Sequence, residues 1–299
     1  MKILISGASG FIGQRLVKML TESGHDVARL GRGTTRPIHT QDFVWNIETG
    51  TCSLKSLDGF DAVINLVGES VAARRWTSAQ KKRLVDSRIQ STALLAKLFK
   101  ASAIPPKIFL SASAVGVYGN RGDEKLTELS SPGIGFLAVL AQTWEQSATL
   151  HDSRIRQVLM RFGVVLDPAG GALSKMLLPF KLGLGGTLGS GRQYFSWISL
   201  ADACRAIVFC LENQKISGPV NIVAPDAVTN KEFTATLGKE LQRPTIFKLP
   251  SLVLKIVLGE MAEALLLSSQ RVYPEKLIGA GFEFKHAKLV DCIKLKVEE

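Results

Sequence analysis

Cysteine is scarce and dispersed. Cys52, Cys204, Cys210 and Cys292 form no C-x-x-C pair, and no histidine stands at metal-ligand spacing from them. A disulfide framework and a zinc site are therefore not expected, and reduced thiols in a cytoplasmic protein are. The four histidines, His25, His39, His151 and His286, sit in no motif and read as surface or packing residues. Long apolar runs are missing as well. The most apolar stretch, Leu249 to Leu267, is interrupted by Lys255, Glu260 and Glu263. It reads as an amphipathic helix packed on the core, not as a bilayer span. The first strand begins at Lys2 or Ile3, which leaves no room for a signal peptide.

Acidic residues are also in deficit: 26 Asp and Glu face 37 Lys and Arg, a formal net charge of +11. Such a balance admits nucleic acid, an acidic membrane or a phosphorylated ligand as partner. The basic residues are scattered, however. The densest run, Arg74-Arg75 with Lys81-Lys82-Arg83, follows a helical pattern with no aromatic residues interleaved for base stacking. No nucleic acid and no membrane partner is expected, and a small phosphate-bearing ligand accounts for part of the charge.

What is present is alternation. An apolar run at residues 3–6 precedes a glycine turn, a helical stripe (Phe11, Ile12, Leu16, Met19, Leu20) and a second strand at Val27 to Leu30. Such β-turn-α-β units build parallel sheets with right-handed crossovers. Further strands are expected at Asp42 to Trp45, Ala62 to Val67, Lys107 to Leu110, Gln157 to Leu166 and Val220 to Val223. Helices are expected at 77–101, 134–148 and 200–211. The pattern predicts an α/β fold, a Rossmann-type doubly wound parallel sheet with a smaller, mostly helical C-terminal substrate subdomain. The expected boundaries are 1–166 plus 192–224 for the dinucleotide-binding domain and 167–191 plus 225–299 for the substrate-binding subdomain.

The string Gly7-Ala8-Ser9-Gly10-Phe11-Ile12-Gly13 lies directly between strand and helix. In that context Gly7 permits a tight turn, Gly10 lets backbone approach a pyrophosphate, and Gly13 lets helix and strand pack closely. The helix N-terminus adds free N–H groups and a positive dipole end. The end of the second strand discriminates between cofactors. NAD-binding chains place an acid there for the ribose 2′-hydroxyl, whereas this chain has Leu30-Gly31-Arg32-Gly33. Arg32 suits a 2′-phosphate, so NADP(H) is favoured over NAD(H).

Together with Asn65-Leu66-Val67-Gly68 and Val117-Tyr118-Gly119, this loop resembles the extended short-chain dehydrogenase/reductase superfamily. More narrowly, it resembles the atypical nucleoside-diphosphate-sugar epimerase-like, or "epimerase family", proteins. Strings along the whole chain carry the narrower match, among them Arg75-Trp76-Thr77, Asp86-Ser87-Arg88, Trp144-Glu145, Arg161-Phe162-Gly163, Pro179-Phe180 and Ser196-Trp197-Ile198. The resemblance implies that Gly7, Gly10, Phe11, Ile12 and Gly13 cradle the pyrophosphate. It implies Gly31 and Arg32 beside the adenosine ribose, and Leu66, Val67 and Gly68 along the ribose and pyrophosphate path. Arg88 would come in from the following helix, with Gly163 to Val165 facing the nicotinamide. For Leu66, Val67 and Val165, core packing is an equal reading.

Hydride-transferring members of that superfamily use a Tyr-x-x-x-Lys pair, in which lysine and cofactor ribose lower the tyrosine pKa. Four residues beyond Tyr118, Tyr194 and Tyr273 stand Gly122, Ile198 and Leu277, so no pair exists. Tyr118, Ser113 and Glu69 remain as acid-base candidates, with Arg88 as electrostatic stabiliser. Tyr118 is equally a packing or substrate-contacting residue, and Glu69 equally a solvated loop acid. The glycine-rich stretch Gly183 to Gly191, ending in Arg192, reads either as an anion nest for a substrate phosphate or carboxylate or as a connector between lobes. The expectation is an NADP(H)-binding oxidoreductase or epimerase acting on a small, anionic substrate. The alternative is a non-enzymatic NADP(H)-sensing protein that passes a signal to a partner.

Overall fold

The computed structural model describes residues 1–32 and 42–294; Gly33 and His39 lie outside them. Along the chain, β1 (Lys2–Ser6), α1 (Phe11–Glu22), β2 (Asp26–Arg32), β3 (Asp42–Asn46) and β4 (Thr51–Cys52) come first. They are followed by β5 (Ala62–Asn65), α2 (Ser78–Ala101), β6 (Ile108–Ala114) and β7 (Lys125–Leu126). Then come α3 (Phe136–Ala148), β8 (Arg156–Phe162), β9 (Val164–Asp167), α4 (Gly171–Lys181) and β10 (Gly186–Leu188). Next are β11 (Tyr194–Phe195), β12 (Trp197–Ser199), α5 (Leu200–Glu212), β13 (Gly218–Ile222) and β14 (Val228–Thr229). The chain continues with α6 (Asn230–Glu240), β15 (Phe247–Leu249), α7 (Ser251–Leu258) and α8 (Glu260–Ala262). It ends in β16 (Arg271–Val272), α9 (Glu275–Gly279) and α10 (Leu289–Ile293).

Eight strands form one sheet in the order β13-β8-β6-β5-β1-β2-β3-β4. β1 pairs in parallel with both β2 and β5, so the strand order reverses there. That reversal opens a crevice at the carboxyl ends of the central strands, the place where doubly wound folds hold ligands. β5 is buried at all four positions, as its unbroken apolar run requires of a strand covered on both faces.

The chain divides into two compact units, 1–113 with 140–160 and 204–220, and 114–139 with 161–203 and 221–299. Residues 114–139, 161–166, 192–203 and 221–224 thus go with the second unit, where the expected boundaries put them in the first. At 161–166 the division falls where Gly163 separates two strands. The single strand expected over 157–166 is two: β8 ends at Phe162, and β9 turns away to pair in parallel with β12. A Cβ at Gly163 would sit 2.8 Å from the Ser196 carbonyl oxygen, so only glycine permits this crossing. In the first unit, Leu4, Leu30, Val63, Leu95, Phe99 and Phe109 belong to one apolar cluster. In the second, Leu166, Leu177, Phe180, Trp197 and Phe233 belong to another.

The expectation for Leu249 to Leu267 is corrected. The segment is β15, then α7, then a break at Gly259, and within α7 only Leu254 is buried. This helix is not packed on a core over its apolar face. The glycine-rich stretch 183–191 is a folded element: a Cβ at Gly185 would strike the Phe180 ring at 2.5 Å, and one at Gly186 the Phe247 carbonyl oxygen at 2.3 Å. Close packing accounts for both glycines, and the connector reading does not hold for them.

Candidate nucleotide-binding and acid-base site

The turn after β1 is built from glycines that admit no side chain. Gly7 adopts φ +76°, and a Cβ there would lie 2.7 Å from the Leu66 carbonyl carbon. A Cβ on Gly13 would lie 2.3 Å from the Gly7 carbonyl oxygen and 2.8 Å from Ala8 Cα. Gly13 therefore seats α1 against the turn itself. Gly10 precedes α1, has no side-chain cap, and donates its N–H to Gly7 O at 3.0 Å. The uncapped first turn of α1 leaves donors and the positive dipole end free for an anion.

Above this turn lies a cavity of about 780 Å³, lined by Gly7 to Gly10, Leu30, Gly31, Arg32, Leu66, Val67, Gly68 and Glu69. These are the carboxyl ends of β1, β2 and β5, and the volume matches a cofactor pocket. Gln14, Arg29 and Trp45 line it too. Sequence reading missed them: Arg29 alternates with buried Ala28 and Leu30 and reads as a plain strand position, and Trp45 reads as core.

A polar network ties the switch point together. Ser6 Oγ donates to Asn65 Oδ1 (2.8 Å), Asn65 Nδ2 donates to Thr92 Oγ1 (3.1 Å), and Trp144 Nε1 donates to the same hydroxyl (3.2 Å). All four residues are buried, so each polar group has to find a partner, and together they lock β1, β5, α2 and α3 in register.

Arg88, expected at the cofactor, lies under the loop that lines the cavity. Its guanidinium donates to the carbonyls of Leu84 (2.9 Å) and Glu69 (2.9 Å) and stacks 5.0 Å from the Trp144 ring. Burial pulls its pKa down to about 10, and Glu69 opposes that shift. Gly68 is small because a Cβ would be 3.2 Å from this guanidinium. Arg88 thus holds the Gly68-Glu69 turn in place. The Glu69 carboxylate is half-buried and accepts from Gln80 Nε2 at 2.8 Å.

Tyr118 lies in the second unit. It is fully buried (0% exposed), its hydroxyl donates to Asn221 Oδ1 at 2.7 Å, and Arg161 Nη1 donates to it at 2.9 Å. Burial raises the phenol above its ordinary pKa against the pull of Arg161. A hydroxyl so enclosed fits the packing reading of Tyr118 better than the acid-base one. Ser113 is buried too (3% exposed), but its partner is a carboxylate. Its Oγ donates to Glu145 Oε1 at 2.6 Å, the short distance of a charge-assisted bond. Glu145 is half-buried on α3; it stands within a family string but carried no role in the sequence reading. In the second unit, Val165 pairs with Ile198, and the Gly163 N–H donates to Ile222 O. Arg192 is exposed beside Gln193, whose amide donates to Leu188 O and Leu266 O and anchors the glycine stretch.

The profile of the NAD dependent epimerase/dehydratase family matches residues 3–223. The chain belongs to that family. A second profile, a domain of unknown function (DUF1731), matches residues 249–294. An epimerase family protein of Mycobacterium bovis is 44% identical over 97% of this chain and 96% of its own length. The human epimerase family protein SDR39U1 is 36% identical over 98% of this chain and 99% of its own. The crystal structure of human SDR39U1 (isoform 2) with NADPH superposes with a TM-score of 0.90 at 35% identity, covering 98% of each chain. A UDP-glucose 4-epimerase from Thermotoga maritima shares the fold at 20% identity, with a TM-score of 0.76. The fold is therefore that of the extended short-chain dehydrogenase/reductases, as the motifs of this epimerase/dehydratase chain imply.

Proposed function

We propose that this epimerase/dehydratase family chain binds NADP(H) in the 780 Å³ cavity and serves as an oxidoreductase or epimerase for a small anionic molecule. The observation that carries the reading is the cradle a methyl group would fill at Gly7 and Gly13, with Arg29 and Arg32 at the cavity's β2 wall where a binder of NAD(H) would place an acid. The NADPH bound by SDR39U1 supports it. Gly7 to Gly13 would hold the pyrophosphate, Arg32 the 2′-phosphate, and Leu66 to Gly68 the ribose path.

Bound NADP(H) supplies the hydride donor or acceptor. The proton work falls to Ser113 and Glu145. In the parallel register of β5 and β6, Asn65 is opposite Ser111; two residues further along each chain stand Val67, which lines the cavity, and Ser113. A substrate hydroxyl resting on Ser113 Oγ can pass its proton to that oxygen while the serine proton moves to Glu145 Oε1. The half-buried carboxylate then exchanges with solvent. Arg192 and the basic balance of the chain suit an anionic substrate.

The test loads the protein with NADPH, screens phosphorylated and carboxylated metabolites, and follows nicotinamide absorbance together with product analysis, since an epimerase regenerates its cofactor. Turnover should fall at least about a hundredfold in Glu145→Gln and Ser113→Ala with NADPH affinity unchanged. Full turnover in Glu145→Gln overturns the acid-base assignment. Tight NADPH binding with no turnover of any compound overturns the enzymatic reading.

A further inference from the structure

The least explained surface lies in the second unit, around the helix that the sequence pattern assigned to the core. On α7, Leu252, Val253, Ile256 and Val257 are all exposed. At helical spacing these four fall within one arc, opposite the buried Leu254. Pro250 joins α7 directly to β15, where Phe247 is exposed, with Ile246 just before it 79% exposed. β15 pairs with β10 in the register Gly186↔Phe247. The backbone before β10 folds onto the end of α4, with Leu184 N donating to Pro179 O, and there Leu182 and Leu184 stand exposed. The exposed apolar residues thus sit on adjoining elements, the end of α4, the β10–β15 pair and α7, and are more numerous than the scattered singles a solvated face carries.

The segments that carry these residues, and so form the rim, are basic in sequence. Residues 175–188 and 239–258 contain Lys175, Lys181, Lys239, Arg243, Lys248 and Lys255 against one acid, Glu240. The next turn adds Glu260 and Glu263, and Glu263 pairs with Lys255 at 3.0 Å. Six cations against three acids leave the rim positive. A second copy of the chain is a poor cover, because an isologous contact would set this positive rim against itself. A bilayer with anionic headgroups offers both required layers, an acyl boundary for the apolar arc and negative charge for the rim.

We infer that this face, α7 with β15 and the end of α4, docks in the plane of an anionic lipid surface. Among the described residues no helix is long and apolar enough to cross a membrane, so the contact is one of surface only. It departs from the sequence expectation of no membrane partner, and it stands independently of the cofactor reading.

The full-length protein is sedimented with vesicles of phosphatidylcholine alone or mixed with phosphatidylglycerol. It should pellet with the mixed vesicles and much less with phosphatidylcholine. Added salt should weaken the association. Val253→Asp with Ile256→Asp should lower partitioning by about tenfold or more. Lys181→Glu and Lys248→Glu should each lower it at least about fivefold on anionic vesicles. Circular dichroism and NADPH binding report that these variants remain folded. Three results overturn the proposal: no pelleting with either vesicle, equal pelleting of the folded Asp variant, or light scattering that shows a dimer which the Asp pair dissociates.

Discussion

Replacing Gly13 with alanine tests the nucleotide cradle most directly. The new methyl group would stand 2.3 Å from the Gly7 carbonyl oxygen, 2.8 Å from Ala8 Cα and 2.9 Å from the Ala8 carbonyl carbon. Every one of these atoms is backbone, so no rotamer change relieves the overlap. Real Cβ atoms essentially never come within 3.0 Å of such neighbours, so the turn or the head of α1 must move by roughly 0.7 Å or more. Gly7 has little freedom to yield, since its own Cα faces the Leu66 backbone and its carbonyl accepts the Gly10 N–H. Overpacking of this kind costs about 1–3 kcal/mol of stability. Shifting the helix-head amides off a pyrophosphate also weakens one or two charge-assisted bonds, about 2–4 kcal/mol. The expected outcome is a lower melting temperature without cofactor and a Kd for NADPH raised roughly 30- to 1000-fold by titration calorimetry. Gly279→Ala is the control, because a Cβ there meets nothing within 4 Å and its φ is ordinary. A folded Gly13→Ala protein that binds NADPH like the parent would refute the argument that this turn seats a diphosphate.

Arg32→Ala should cost about 1–3 kcal/mol of NADPH affinity and leave NADH affinity nearly unchanged, measured by paired titrations; equal losses would remove the 2′-phosphate assignment. Arg156 donates to the carbonyls of Cys210 (2.9 Å), Leu211 (2.7 Å) and Ile216 (2.8 Å), so it caps the last turn of α5. Arg156→Leu should destabilise by about 2–4 kcal/mol in urea melts, with Arg156→Lys recovering part of the loss. Tyr118→Phe leaves Asn221 and Arg161 each short of a partner and should cost about 1–3 kcal/mol of stability with the NADPH Kd unchanged. Because the Tyr118 pKa is raised on folding, its contribution is whole below the ordinary phenol pKa and declines as pH rises above it. The parent's excess stability over Tyr118→Phe should therefore shrink in alkaline melts, and a constant difference would contradict the raised pKa.

The cofactor half of the site was open to sequence reading because its determinants are contiguous. Gly7, Gly10 and Gly13 lie within one turn, and Arg32 closes the next strand, so spacing alone carries the geometry. The proposed acid-base pair was legible only in part, since Ser113 is a sequence candidate and Glu145 is not. Ser113 and Glu145 are separated by 32 positions and by a change of element, and only packing of α3 on β6 brings them to 2.6 Å. Tyr118 was drawn toward the site by its place after β6. Nothing in its neighbours announces that Asn221 and Arg161, both distant in sequence, would enclose its hydroxyl. The division near β8 and β9 escaped the sequence for a related reason: the two strands read as one, and the residue that divides them, Gly163, is defined by the Ser196 carbonyl it must pass.

The Leu249–Leu267 segment shows a different limit, and it bears on what the chain does. A period near 3.6 reports that apolar residues share a helix face, but not what covers that face. For α1 the inference to burial is sound, since its strip is flanked by two strands whose own apolar faces need a cover, and Leu16, Val17 and Leu20 are buried. No such strands flank α7: β15 has three residues, all exposed, and β10 is its partner in a sheet of two. Among the described residues no sheet face meets the arc from Leu252 to Val257, and it stays exposed. The physical requirement is the same as for a core helix, and the proposed lipid surface is the cover that would meet it where the described residues do not.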